Sequence, residues 1–151
     1  MSYQLFGSDP IVRGEAGGPF TAIDAYSASI SQCRGIMKSF SVYIVANVTV
    51  FKLKIFRDDG TNFIFIGESP AYSLNAGLNS DLLCWIPVEK NDRIGSYQAS
   101  GTISCATGGG TRYNKNGDII TTSTKASWTL DAYSPYSIQG RVYTIVGSLW
   151  I

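Results

Sequence analysis

The residue types that carry most acid, base and metal chemistry are thin in this chain, and histidine is absent altogether. Without an imidazole, the Ser/His and Cys/His arrangements for nucleophilic catalysis are unavailable. Cys33, Cys84 and Cys105 form no CxxC pair, which excludes zinc sites of the usual spacings. Two carboxylate pairs are left for glycosidase-type work, Asp58 with Asp59 and Asp81 with Asp92. Neighbours on an extended chain point apart, so Asp58 and Asp59 read as turn formers. The run Gly108-Gly109-Gly110-Thr111-Arg112 lacks the lysine spacing of a phosphate loop. The chain therefore reads as non-enzymatic, with no cofactor.

Binding chemistry has better material. Asp58, Asp59, Thr61 and Asn62 gather oxygens that a calcium ion could use, although the spacing is not that of an EF-hand and a plain hairpin explains the same residues. In the loop-rich C-terminal third, Arg112, Tyr113, Asn114, Tyr133 and Tyr136 combine amphipathic rings with hydrogen-bonding groups, the combination that holds a sugar face. Tyrosine is equally at home in strands and interfaces, so a structural reading stands beside the glycan one.

The elements that must position these residues are strands. The chain has 151 residues, enough for one domain, with 15% charged and 13% aromatic residues, a balance that suits a sheet protein rather than a helical one. Phe51, Leu53 and Ile55 alternate with Lys52, Lys54 and Phe56, the period of a strand with one buried face. Asp58-Asp59-Gly60 then turns the chain into Phe63-Ile64-Phe65-Ile66. Upstream, Ile36, Phe40, Val42 and Ile44 share one face of a long core strand. Downstream, Leu78 to Val88 forms another strand, with Leu83, Trp85 and Leu78 on one face and Pro87 at its edge or end. Ile119 to Thr122 is expected as a short strand, and Ile138 to Val146, apolar on both faces, as a strand inside a sheet.

The fold class is thus all-β, an antiparallel β-sandwich. Residues 1–33, punctuated by Gly7, Pro10, Gly14, Gly17, Gly18 and Pro19, are expected as an arm or edge strands packing on the domain, residues 34–151, or on a neighbouring subunit. Cys84 is expected in the core; Cys33 and Cys105, in Ser- and Gly-rich connections, are either free or bridged.

The order VFKLKIFRDDGTNFIFIGES, AGLNSDLLCWIPVEKNDRIGSY and a closing RVYTIV resembles the β-sandwich head domains of phage and viral fibres and of bacterial surface proteins. More distantly it is similar to the jelly rolls of the complement globular-head and tumour-necrosis-factor group. Those domains place a Gly-Asp turn before an aliphatic strand; this chain has Asn91-Asp92 there. The resemblance implies a jelly-roll-like, virion-borne or extracellular module, often trimeric, and transfers no functional residue.

A net charge of +1 and a pI of about 7.6 give no field for nucleic acid or an anionic membrane, and no apolar run is long enough to span a bilayer. Met1 to Leu5 lacks the basic and apolar regions of a secretory signal. The expected function is a self-associating homo-oligomer, a trimer first, that presents loops to a glycan or cell-surface receptor. A purely structural subunit of a capsid, tail or filament and a secreted carbohydrate-binding module are the alternatives.

Overall fold

Alternating apolar residues can be buried only if two such strand faces meet, and the chain does this with two antiparallel sheets. The computed structural model describes residues 2–144. Its strands, in order, are β1 (Tyr3–Gly7), β2 (Glu15–Gly17), β3 (Thr21–Asp24), β4 (Gly35–Ala46), β5 (Val48–Asp58), β6 (Asn62–Glu68) and β7 (Tyr72–Leu74). They continue as β8 (Gly77–Val88), β9 (Asp92–Gln98), β10 (Thr102–Cys105), β11 (Arg112–Lys115), β12 (Ser123–Thr124), β13 (Thr129–Asp131) and β14 (Ile138–Thr144). One six-stranded sheet runs β1-β14-β4-β10-β2, with β8 beside β4. The other has eight strands in the order β12-β6-β5-β9-β3-β11-β13, with β7 beside β5. No helix among the described residues is long and apolar enough to cross a membrane.

The main core lies between the sheets. Met37, Phe40, Val42 and Ile44 of β4 face Phe51, Leu53 and Ile55 of β5, and Phe40 stacks on Phe51 with ring centroids 5.9 Å apart. The inward residue near the start of β4 is Met37, not Ile36. A register shift against β8 between Met37 and Ser39 moves the alternation by one position, as a bulge does. Gly140, opposite Phe40 on β14, leaves room for the Met37 side chain, which a Cβ there would meet at 2.6 Å.

Burial on β5 is two-sided, whereas its alternation predicts one buried face. Lys54 and Phe56, on the face away from the main core, are as inaccessible to solvent as Leu53 and Ile55. Between its edge strands β12 and β13 and ahead of them, the 116–131 segment crosses that outer face through Asp118, Ile119 and Trp128, and Ile23, Phe56, Phe63 and Trp128 form a second, smaller core there. Trp128 meets both Phe56 and Phe63 edge-on at 5.7 and 5.6 Å. The strand expected over Ile119 to Thr122 does not form. Ile119 instead donates its N–H to Thr21 Oγ1 and gives its carbonyl to Lys54, so its backbone crosses the sheet on side-chain partners.

The first 33 residues pack on their own chain: β1 pairs with β14, β2 with β10, and β3 sits inside the larger sheet between β9 and β11. β14 lies between β1 and β4, inside its sheet as expected; Ile145 and Val146, its expected end, lie outside the described residues. Asn91, where the resembling domains have glycine, has φ +73°, the left-handed conformation that asparagine tolerates best after glycine. All three cysteines are free, so Cys33 and Cys105 are not bridged; Cys84 is buried.

Candidate functional site

The five residues singled out for glycan contact come partly together, and the reason is internal. Arg112 begins β11, opposite Asp24 of β3 on one side and Asp131 of β13 on the other. Its guanidinium grips Asp131 with Nε and Nη2, donates from Nη1 to the Tyr136 hydroxyl at 2.6 Å, and lies between the rings of Phe20 and Tyr133. Asn114 Nδ2 donates to the same Asp131 carboxylate at 2.9 Å. Arg112 and Tyr136 are buried, and only Tyr133 of the five is exposed. Burial alone would lower the Arg112 pKa, but the hydrogen bonds with Asp131 outweigh it and keep the cation firmly protonated. Burial also pushes the Tyr136 phenol up, against the opposing pull of Arg112. Tyr113 points the other way, its ring 4.8 Å from Phe63.

Beneath Arg112, the buried Asp24 carboxylate accepts from Tyr26 N–H, Ser29 Oγ, Ser134 Oγ and Tyr136 N–H. Together Asp24 and Arg112 fasten the 131–137 connection to β3 and β11. This is a polar clamp with its donors and acceptors matched to one another.

The calcium candidates are likewise committed. Asp58 receives Lys125 Nζ at 2.9 Å and Arg93 Nη2 at 3.1 Å, so its charge already has two counter-ions. Asp59 caps the turn, accepting from the N–H groups of Thr61 and Asn62, while Gly60 takes φ +97°. Asn62 donates its side-chain amide toward Asp59, so the amide of this set is turned to the turn and not to a cation. Of the other carboxylate pair, Asp92 is fully buried and held by Arg57 through two bonds of 2.8 and 3.0 Å, and Asp81 meets Arg141 at 3.3 Å. The two acids serve different cations.

A second charged group was not anticipated from the pattern. Lys54 is wholly buried, and its Nζ lies 2.6 Å from Glu68 Oε1, 2.6 Å from Asp118 Oδ1 and 3.0 Å from the Ile119 carbonyl. Lys52 lies 2.7 Å from the other Asp118 oxygen and 3.4 Å from Glu68 Oε2. Glu68 is the register partner of Lys54 on β6, while Asp118 arrives from the covering segment. Burial by itself raises the Asp118 carboxyl, yet the hydrogen bonds from Lys52 and Lys54 win and hold it below the usual carboxylate range. One signal in the sequence could have pointed to this site: Phe56 shares a strand face with Lys52 and Lys54, so that face is not uniformly polar.

The outer face of the six-stranded sheet has no such cover among the described residues. Leu83 and Trp85 of β8 are 70% and 67% exposed, and Leu5 of β1 is 59% exposed. Between them Tyr3 and Tyr143 pair across the strands with centroids 5.7 Å apart, and Lys38 Nζ lies 5.1 Å from Trp85 and 4.9 Å from Tyr143. Beside β8 a cleft of about 460 Å³ opens between Leu83, Cys84, Trp85, Glu68, Ser69 and Pro70. No protein-family model, no curated protein and no solved structure matches this chain.

Proposed function

We propose that this chain is a non-enzymatic β-sandwich module of a fibre, tail or surface appendage, and that its work is self-association through the outer face of the six-stranded sheet. The observation that carries the reading is the unequal treatment of the two outer faces. One is roofed by the chain's own residues 116–131. The other presents Leu83, Trp85, Leu5 and the Tyr3–Tyr143 pair on a face that none of the described residues covers. Apolar area of this kind on an extended surface is the mark of a contact made outside the chain.

A second copy suits the surface. Its charges are few and of both signs, with Arg141 facing Asp81 and Lys38 lying over aromatic rings, so like copies meet without strong repulsion. Trp, Tyr and Leu at the centre with polar residues around them is the composition of an interface core. We take the assembly to be a closed homo-oligomer, with a trimer as the first candidate because the resembling fibre heads are often trimeric. The inward commitment of Arg112 and Tyr136 favours assembly over glycan recognition at that end of the molecule.

Light scattering on the native chain tests this. The expected result is a closed oligomer that Leu83→Lys with Trp85→Lys converts to a monomer of unchanged secondary structure. A wild-type chain that stays monomeric at every concentration examined overturns it.

A further inference from the structure

The cluster around Lys54 holds more than an ion pair requires. We propose that Lys54 and Asp118 condense within the folded chain to form an isopeptide bond, with Glu68 carrying the proton. The inference rests on this cluster alone and is independent of the assembly reading.

Four features of the geometry point to the reaction. Lys54 is fully buried, with the rings of Phe65 and Tyr97 at 5.1 and 6.0 Å, so its nitrogen has no hydration shell to lose. Its Nζ also lies 2.6 Å from the buried Asp118 Oδ1, which brings the amine nitrogen within reach of the carboxyl group. Glu68 Oε1, at 2.6 Å on the same nitrogen, stands where a proton acceptor is needed. Lys52 Nζ, 2.7 Å from Asp118 Oδ2, is placed to stabilise negative charge that develops on that oxygen.

The step balances without any other reactant. A proton passes from the Lys54 ammonium to Asp118 Oδ1, giving an amine and a carboxylic acid. The nitrogen lone pair attacks Cγ, the Nζ–Cγ bond forms, and a second proton moves to Glu68. Glu68 returns it to the departing oxygen, the Cγ–Oδ1 bond breaks and one water leaves past the carboxylates, which are partly open to solvent. No atom is oxidised or reduced. The amide oxygen stays against Lys52, and the remaining N–H points to the Ile119 carbonyl, 3.0 Å from Nζ. The cluster is neutral before the reaction, with two lysines and two carboxylates, and neutral after it, with Lys52 and Glu68 still paired. Fixed geometry lowers the barrier, since oriented groups reach effective molarities of about 10⁵ M or more, and burial, which penalises the ion pair and not the neutral amide, draws the step forward.

Intact mass spectrometry of the denatured full-length chain decides the matter. The expected mass is lower than the sequence mass by one water, and proteolysis yields a branched peptide joining the segments that carry Lys54 and Asp118. Glu68→Gln and Lys54→Arg are expected at full sequence mass. A wild-type protein at full mass overturns the proposal, as does a lost water that maps elsewhere, for instance to a succinimide at Asp59-Gly60. A branched peptide formed as fully in Glu68→Gln overturns the role given to Glu68. Because the wild-type mass is itself decisive, the test stands even if a variant fails to fold.

Discussion

The two outer faces of this sandwich are built from the same strand grammar and end in opposite states. On the larger sheet, Lys52, Lys54 and Phe56 project outward from β5 and are roofed by residues 116–131, so that a lysine becomes a fully buried residue. On the smaller sheet, Leu83 and Trp85 project outward from β8 and are left bare by the described residues. Charge is inside on one face and hydrophobic surface outside on the other. Burial of a side chain is thus set by what crosses over a strand, not by the strand. Where the chain supplies the cover, a charged cluster is tolerated because it is matched internally. Where it does not, apolar rings are available for a contact with another molecule.

The contrast breaks most sharply at the roof. Trp128→Ala removes the ring that meets Phe56 and Phe63, and loss of a buried aromatic of this size costs about 3–5 kcal/mol. Hydrogen exchange is expected to rise across residues 116–131 and β6 while β4 and β14 of the other sheet stay protected. Uniform loss of protection in both sheets would mean that the roof is not a separable layer. Next comes Lys54→Ala, which leaves Glu68 and Asp118 with Lys52 as their nearest cation and, once Lys54 and Asp118 have condensed, removes that cross-link as well. Removing one partner of a buried ionic group costs about 3 kcal/mol, and urea unfolding measures it. A loss of less than 1 kcal/mol, on the order of a surface ion pair, would place that face in solvent after all.

Much of the framework was legible in the sequence, and the misreadings share one cause. Period-two runs locate β4, β5, β6, β8 and β14, and Gly60 marks the hairpin, because those signals are local. Coverage is not local. Lys54 reads as a solvent-facing residue until Asp118, more than sixty residues later, is laid over it. Arg112 in a glycine-rich stretch reads as a ligand-binding residue until Phe20 and the 131–137 connection, with Asp131 and Tyr136, are brought against it. Strands of three or four residues such as β2 and β3 are too short to show a period, so the N-terminal segment reads only as an arm or edge strands, without the interior place that β3 takes between β9 and β11.

Acid separates the faces at a lower cost. Hydrogen bonds and charge from Lys52 and Lys54 outweigh burial at Asp118, and those from Lys125 and Arg93 do so at Asp58, so both folded-state pKa values lie below the unfolded ones. Their contribution is complete above the ordinary carboxylate range and is lost as pH falls through the depressed folded values. The larger sheet and its roof are therefore expected to loosen first on acidification, seen as a fall in Trp128 near-ultraviolet dichroism before strand signal is lost. Asp118→Asn removes part of that pH dependence. If the variant's acid midpoint equals that of the wild type, the cluster does not contribute. Should the isopeptide bond have formed, Asp118 no longer titrates, and only the Asp58 part is expected.

The smallest effect is the most discriminating, because it separates folding from assembly. Trp85 is 67% exposed and lies under Lys38 Nζ, 5.1 Å from the ring centroid. Such a cation–π contact at an exposed site contributes about 0.5 kcal/mol, and truncating an exposed side chain otherwise changes little. Trp85→Ala should therefore unfold in urea within about 0.5 kcal/mol of the wild type at concentrations where both are monomeric. Raising the protein concentration then reads the other half of the comparison. If the bare face is a contact, the wild type gains stability with concentration through mass action while the variant does not. If both curves stay flat, the aromatic rings of β8 and β14 are ordinary surface, and the two outer faces differ in cover without differing in purpose.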